Sequence, residues 1–223
     1  MRLLLIVIAV FLLYGIGFAK SPVDLASFLE DKVTMIHGAG PNGKKGSCTA
    51  FAIRNDKQWG ITAEHCARNS TFGFDYTMTD HKQRPLIVLA RANRQDDLVL
   101  LQGAVFGELP ELRALTVNPQ VGQQVGTRGY ADGYAPSFFN WATVARVHPA
   151  KHGFRFQTDK GVRRGMSGAP MINADGLVIG VVIRGEAEYT EMTGSWHFQE
   201  LFNAAAAAEE AAKEEAAKAE QSH

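Results

Sequence analysis

A serine placed between glycines, in Gly165-Met166-Ser167-Gly168-Ala169-Pro170, is the stretch of this sequence with the clearest chemical potential. Glycines on both sides allow a tight backbone turn, which can bring two N–H groups close to one point. A hydroxyl presented there could attack a carbonyl, and the N–H groups of Gly165 and Ser167 could hold the oxyanion that forms. Taken alone, the stretch also fits an ordinary turn.

Two upstream segments contain the groups that would activate such a serine. A hydroxyl is a poor nucleophile at neutral pH, so it needs a base, and the base needs a group that orients it. The candidate base is His65, in Thr62-Ala63-Glu64-His65-Cys66. The candidate orienting carboxylate is Asp97, directly before the apolar run 98–101, with the neighbouring Asp96 as an alternative.

These three segments resemble the signature motifs of the chymotrypsin-like serine proteases. The histidine segment is similar to Thr-Ala-x-His-Cys, and the serine segment resembles Gly-x-Ser-Gly-Gly-Pro, with Ala169 in the last glycine position. The family's third motif places its aspartate directly before an aliphatic residue, which favours Asp97 over Asp96. The order His, Asp, Ser argues against the α/β-hydrolases. Gln157-Thr158-Asp159 resembles the HtrA branch, which has Gln-Thr-Asp at the same distance before its serine.

The resemblance implies an all-β fold of two antiparallel six-stranded barrels with a C-terminal helix. The protease domain would span residues 20–203, with barrels at about 30–115 and 120–195, and no residues would remain for the PDZ domain of HtrA proteases. Residues 204–223, rich in Ala, Glu and Lys, are expected to project as a solvated helical tail. Alternation and turn residues also predict antiparallel all-β structure. The predicted strands cover residues 33–36, 47–54, 58–62, 85–92, 98–102, 121–130, 141–147, 153–158 and 177–183, with a glycine-rich loop at 38–46.

The same resemblance implies a serine endopeptidase that acts on polypeptides and needs neither metal nor cofactor. Ser167 would be the nucleophile, His65 the general base and Asp97 the residue that orients the imidazole. Met166 stands where digestive members carry an aspartate, so their activation by an ion pair to a new N-terminus is not expected. A binding module that kept the fold without catalysis is the alternative, which the presence of all three side-chain types disfavours.

Substrate selection is implied only in outline. In trypsin-like enzymes the floor of the specificity pocket lies six residues before the serine, here Gly161, so a strict preference for Arg or Lys is not expected. Ile183, Arg184 and Gly185 resemble the segment that pairs with the substrate backbone. Either Arg184 or Arg164 could favour an acidic substrate side chain.

The N-terminus and the cysteines indicate export to the periplasm or the medium. Residues 3–19 form an apolar run with small residues near its end, which predicts a signal peptide in residues 1–19, or a membrane anchor if it is not cleaved. Cys48 and Cys66 are the only cysteines, and an even pair in an exported protein suggests a disulfide, although free thiols remain the alternative. The resemblance implies the same pairing. A formal net charge of zero gives no indication of a nucleic-acid partner.

Overall fold

The structure is a computed structural model that describes residues 20–41, 43, 45–68, 75–92, 95–150, 153–186 and 188–221. The predicted signal peptide or anchor, residues 1–19, lies outside the described residues. Among the helices of the described part, none is both long enough and apolar enough to cross a bilayer.

Six antiparallel strands close a first barrel in the spatial order β1-β2-β3-β6-β5-β4. Strand β3 is buried along its whole length because it lies between β2 and β6 and faces the packed interior. Phe51, Ile61 and Leu100 are fully buried in this core. The strands are β1 Val33–Ala39, β2 Lys45–Arg54, β3 Trp59–Ala63, β4 Thr77–Asp80, β5 Pro85–Arg91 and β6 Leu98–Gln102.

Six more strands close a second barrel in the order β10-β11-β12-β9-β8-β7. Its core is built from Val125, Phe156, Met171 and Val182, none of which is exposed by more than 1%. The strands are β7 Gln124–Gly129, β8 Phe138–Ala150, β9 Gly153–Thr158, β10 Pro170–Asn173, β11 Val178–Gly185 and β12 Thr190–Gly194.

The helices contribute buried apolar side chains to the core of the first barrel, Phe106 among them. The N-terminal helix α1 begins after a capping box in which Ser21 and Asp24 hydrogen-bond each other's backbone N–H groups. The C-terminal helix α4 docks on the first barrel, where Phe202 stacks on Trp59 with ring centroids 5.9 Å apart. The bounds are α1 Pro22–Phe28, α2 Glu64–Ala67, α3 Ala104–Glu108 and α4 Phe198–Gln221, with 3₁₀ turns at Ala131–Gly133 and Ser195–His197.

The predicted architecture of two six-stranded barrels and a C-terminal helix is confirmed. The predicted loop at 38–46 is wrong in its bounds, because β1 continues to Ala39 and β2 begins at Lys45, with Gly38 paired to Gly46. Gly38 lies within a strand rather than in a turn, and its lack of a side chain lets the backbone of Cys66 come close. A Cβ there would lie 2.6 Å from the Cys66 carbonyl oxygen. The short strand β10 was not predicted, because its four residues follow directly on the serine motif.

Contact between the C-terminal helix and the barrel extends further than the sequence predicts. Ala205 is buried, and Glu209 forms an ion pair with Lys57 at 3.3 Å, although both lie in the segment expected to be solvated. Alanine can pack closely without a large side chain, which composition alone does not reveal. Residues 210–219 are exposed.

We predict that Gly60→Ala destabilises the first barrel by about 1–3 kcal/mol, the usual cost of overpacking a core. A Cβ at this position would overlap the buried Phe106 ring. Urea denaturation measures the effect, with Gly46→Ala as the matched strand control, because no atom lies within 4 Å of its added carbon. Equal denaturation midpoints for the two variants would contradict the prediction.

Candidate active site

Asp97 holds His65 through both of its carboxylate oxygens. Oδ1 accepts a hydrogen bond from the backbone N–H of His65 at 2.8 Å, and Oδ2 lies 2.7 Å from His65 Nδ1. An ionised carboxylate can only accept, so the shared proton belongs on Nδ1. This tautomer leaves Nε2 unprotonated and able to act as a base.

Pairing between two neighbouring strands positions both residues. Strand β3 ends at Ala63, which pairs with Leu98 at the start of β6. His65 follows the end of one strand and Asp97 precedes the start of the other, so the pairing brings them together. The backbone N–H of Glu64 also donates to the Asp97 carbonyl at 2.9 Å. Asp97 adopts a φ of 52°, a left-handed conformation that costs a non-glycine residue roughly 1 kcal/mol or more.

The turn that carries Ser167 requires glycine on both sides. Gly165 and Gly168 have φ values of +86° and +84°. A Cβ at Gly168 would overlap the Thr62 hydroxyl and the Thr49 carbonyl, which belong to the first barrel. The Ser167 carbonyl in turn accepts a hydrogen bond from the Thr49 N–H at 2.8 Å. The nucleophile candidate therefore lies at the seam between the barrels.

Ser167 and His65 line one pocket together with Gly165 and Cys48. Within the described part of the chain, the Ser167 hydroxyl is not hydrogen-bonded to the imidazole, and the N–H groups of Gly165 and Ser167 donate to no protein acceptor. Catalytic hydrogen bonds are often long before substrate binds. N–H groups without a protein acceptor are what an oxyanion site requires.

Thr49 is a residue of this site that the sequence analysis missed. Its buried hydroxyl donates to the Gly165 carbonyl at 2.9 Å and accepts from the Tyr130 N–H at 3.0 Å. Its carbonyl accepts from the Thr62 hydroxyl at 2.7 Å. Thr49 thus fixes the glycine turn to the first barrel. No motif signals this role, because its partners lie far away in the sequence.

A disulfide joins Cys48 on β2 to Cys66 in α2, as the sequence suggests. The bond ties the helix that contains His65 to the strand that contains Thr49. Cys48, His65 and Cys66 also place three potential metal ligands within 4.8 Å of one another. The disulfide consumes both sulfurs, so neither can serve as the thiolate that binds a metal.

Asp96, the rejected alternative to Asp97, faces a different histidine. Its carboxylate lies 3.5 Å from Nδ1 of His197, and both side chains are at most 2% exposed. Glu200 approaches the same nitrogen at 3.7 Å, and the Asp96 carbonyl accepts a hydrogen bond from the Thr193 hydroxyl at 2.7 Å. Asp96 therefore links the loop before β6 to the start of the C-terminal helix.

The predicted substrate-binding residues separate into two groups. Arg184 and Gly185 pair with β12 on one side. On the other side β10 begins only at Pro170, which pairs with Val181, so no described strand pairs with the other edge of residues 183–185. Ile183 and Arg184 line a pocket with His65 and Asp97. The two other predictions lie elsewhere, since Arg164 lines the Ser167 pocket and the Gly161 carbonyl accepts a hydrogen bond from the Asn140 side chain at 3.1 Å.

Residues 48–181 match the trypsin-like peptidase domain, which is more than half of the chain and includes all three motifs. The chain belongs to the trypsin-like peptidase family and is a serine endopeptidase. The predicted family is thus confirmed. Comparison of the sequence with curated proteins gives no match.

Several solved structures share the fold. The active form of the Rv3671c protease from M. tuberculosis is 19% identical with a TM-score of 0.63, over 77% of this chain and 79% of that one. A serine endoprotease from Yersinia pestis is 12% identical with a TM-score of 0.67, over 83% and 66%. The HtrA-type protease AlgW with a tripeptide is 14% identical with a TM-score of 0.66, over 82% and 62%. The chain thus spans about two thirds or less of the last two, and these identities establish a shared fold only.

We predict that Asp97→Asn lowers kcat by roughly 10³–10⁴-fold, because an amide can favour the imidazole tautomer with its proton on the wrong nitrogen. Asp96→Asn is the matched neighbour, and it should lower thermal stability while kcat stays within about tenfold of wild type. Peptide hydrolysis and thermal melts measure both effects. Equal losses of kcat in the two variants would contradict this assignment.

We further predict that Thr49→Val lowers kcat about tenfold or more, since the Gly165 carbonyl and the Tyr130 N–H both lose their partner. Thr49→Ser keeps the hydroxyl and should restore most of the rate. The measurement is kcat and KM on one peptide, with a thermal melt of each variant. A Thr49→Val enzyme that is less stable but has wild-type kcat would limit Thr49 to a structural role.

Proposed function

We propose that this chain is an exported endopeptidase that works through an acyl-enzyme on Ser167, with His65 as general base and Asp97 as the orienting carboxylate. The observation that carries the proposal is the double contact between Asp97 and His65. It supports the proposal because a carboxylate that accepts a hydrogen bond from Nδ1 fixes the imidazole proton there and leaves Nε2 free to accept a proton from the serine.

In the proposed reaction, Ser167 Oγ attacks the carbonyl carbon of a peptide bond while His65 Nε2 takes the hydroxyl proton. The N–H groups of Gly165 and Ser167 stabilise the oxyanion, and a single such donor typically contributes about 3 kcal/mol to lowering the barrier. His65 then returns the proton to the leaving amine as the C–N bond breaks. Water attacks the acyl-enzyme by the reverse proton path and releases the acid.

The uncovered edge at residues 183–185 supports an extended peptide as the substrate. Backbone N–H and C=O groups on an open strand edge can add a further strand, which binds a peptide largely through its main chain. Such a peptide would place its acyl portion in the pocket lined by Ile183 and Arg184. Gly161, which the sequence places at the floor of the specificity pocket, has no acidic side chain, so a strict preference for Arg or Lys is not expected.

Export is supported by two features of the chain. The apolar run 3–19 after Arg2 has the character of a signal peptide or anchor. The disulfide between Cys48 and Cys66 is of a kind that persists in oxidising compartments.

We expect a fluorophosphonate probe to label the wild-type chain and not Ser167→Ala, whose peptidase activity should fall by roughly 10⁶-fold. Ser47→Ala is the matched control, because Ser47 lines the same pocket but its hydroxyl contacts His37 rather than the Ser167 turn. In-gel fluorescence and mass spectrometry of a digested peptide mixture report labelling and cleavage. A folded wild-type chain that binds peptides but neither labels nor cleaves would instead be a binding module.

A further inference from the structure

His65 lines two pockets of the cleft, one on each side of it. We name them for the parts of the substrate that they would hold, which rests on the proposed function. The acyl-side pocket contains Asp97, Ile183 and Arg184. The leaving-group pocket contains Ser167 and Gly165. A peptide added to the edge at residues 183–185 has its acyl portion in the first pocket, so the chain beyond the attacked carbonyl enters the second.

Cationic side chains of the acyl-side pocket are already neutralised by the protein. Arg184 forms an ion pair with Glu186 at 2.7 Å, and Arg155 forms one with Glu191 at 3.2 Å. The remaining arginine, Arg68, lies within 4 Å of carboxylates of the first barrel. A substrate carboxylate entering this pocket would therefore have to compete with carboxylates that are already in place.

The cations of the leaving-group pocket, in contrast, have no carboxylate partner among the described residues. They are Lys45 and Arg164, both exposed, and neither is within 4.0 Å of a carboxylate oxygen of any described residue. Asp132 lines an adjoining pocket with the two cations but is not ion-paired with either. Burial lowers the pKa of nearby His37, and the charge of Lys45 lowers this pKa further, so that imidazole is mainly neutral at pH 7.

We infer that the leaving-group pocket binds a substrate carboxylate, so that the enzyme prefers peptides with an acidic group shortly after the cleaved bond. Lys45 and Arg164 are the residues that recognise it. Of the two arginines that the sequence left open for an acidic side chain, the ion pairs favour Arg164 over Arg184. The carboxylate can come from Asp or Glu or from the C-terminus of a short substrate.

The expected effect is modest, because both cations are exposed to water. Exposed charge pairs are weak, so we expect kcat/KM to be roughly three- to tenfold higher for a peptide with one such carboxylate than for its neutral counterpart. The gain should shrink as salt is added, since the screening length is about 10 Å at 0.1 M ionic strength.

The test uses fluorogenic peptides built around a cleavage site mapped by mass spectrometry of a digested peptide mixture. The first pair of peptides has either Glu or Gln at the two positions that follow the cleaved bond. The second pair ends at the second of these positions, either in a free carboxylate or in an amide. Each is measured with the full chain and with Lys45→Gln, Arg164→Gln and the double variant. Arg163→Gln is the matched control, because its guanidinium lies over the Phe138 ring and lines neither pocket.

We expect the wild type and Arg163→Gln to favour the acid of at least one pair, and the double variant to lose that preference. The pair that responds identifies the source of the carboxylate. Equal kcat/KM within both pairs for wild type, or a preference that the double variant keeps, would overturn the inference. Fluorophosphonate titration runs in parallel, so an enzyme that labels without acid preference refutes only this inference, whereas one that does not label refutes the proposed function as well.

Discussion

The carboxylate of Asp97 is the group on which the arrangement of this site depends. One oxygen holds the backbone of His65 and the other holds its ring, so the position and the tautomer of the imidazole are set by a single side chain. The carboxylate can do this only because β3 and β6 pair from Ala63 and Leu98 onward. A shift of this pairing by one residue would displace Asp97 relative to His65 by about 3.3 Å, the rise of one strand residue, and break both hydrogen bonds.

A second constraint lies at the seam between the barrels, where the serine turn rests on the first barrel. Thr49 holds this contact with its N–H and its hydroxyl, and Gly168 fits only because it has no side chain. Met166 is fully buried beside Ser167, so a methionine occupies this position of the turn without the ion pair of the digestive enzymes. The disulfide holds the helix that contains His65 against β2, so this helix and the serine turn are both anchored to one strand.

Much of this fold was predictable because its signals are local. Three short motifs in a fixed order predicted the two barrels and the contact between His65 and Asp97, and the even pair of cysteines in a chain with an export leader predicted the disulfide. The role of Thr49 and the pairing of Asp96 with His197 were not predictable, since each depends on residues that only the tertiary structure brings together. The ion pair between Arg184 and Glu186 was also missed, so the sequence could not rank Arg164 and Arg184.

The seam has a consequence for when the chain can become active. Synthesis proceeds from the N-terminus, so the first barrel, which ends at Gln102, can close before the second has left the ribosome. The turn around Ser167 packs against Thr49 and Thr62, so it can take up its final conformation only after the first barrel has folded. During synthesis the chain therefore contains His65 and Asp97 before the turn that carries Ser167 has been made and packed against the first barrel.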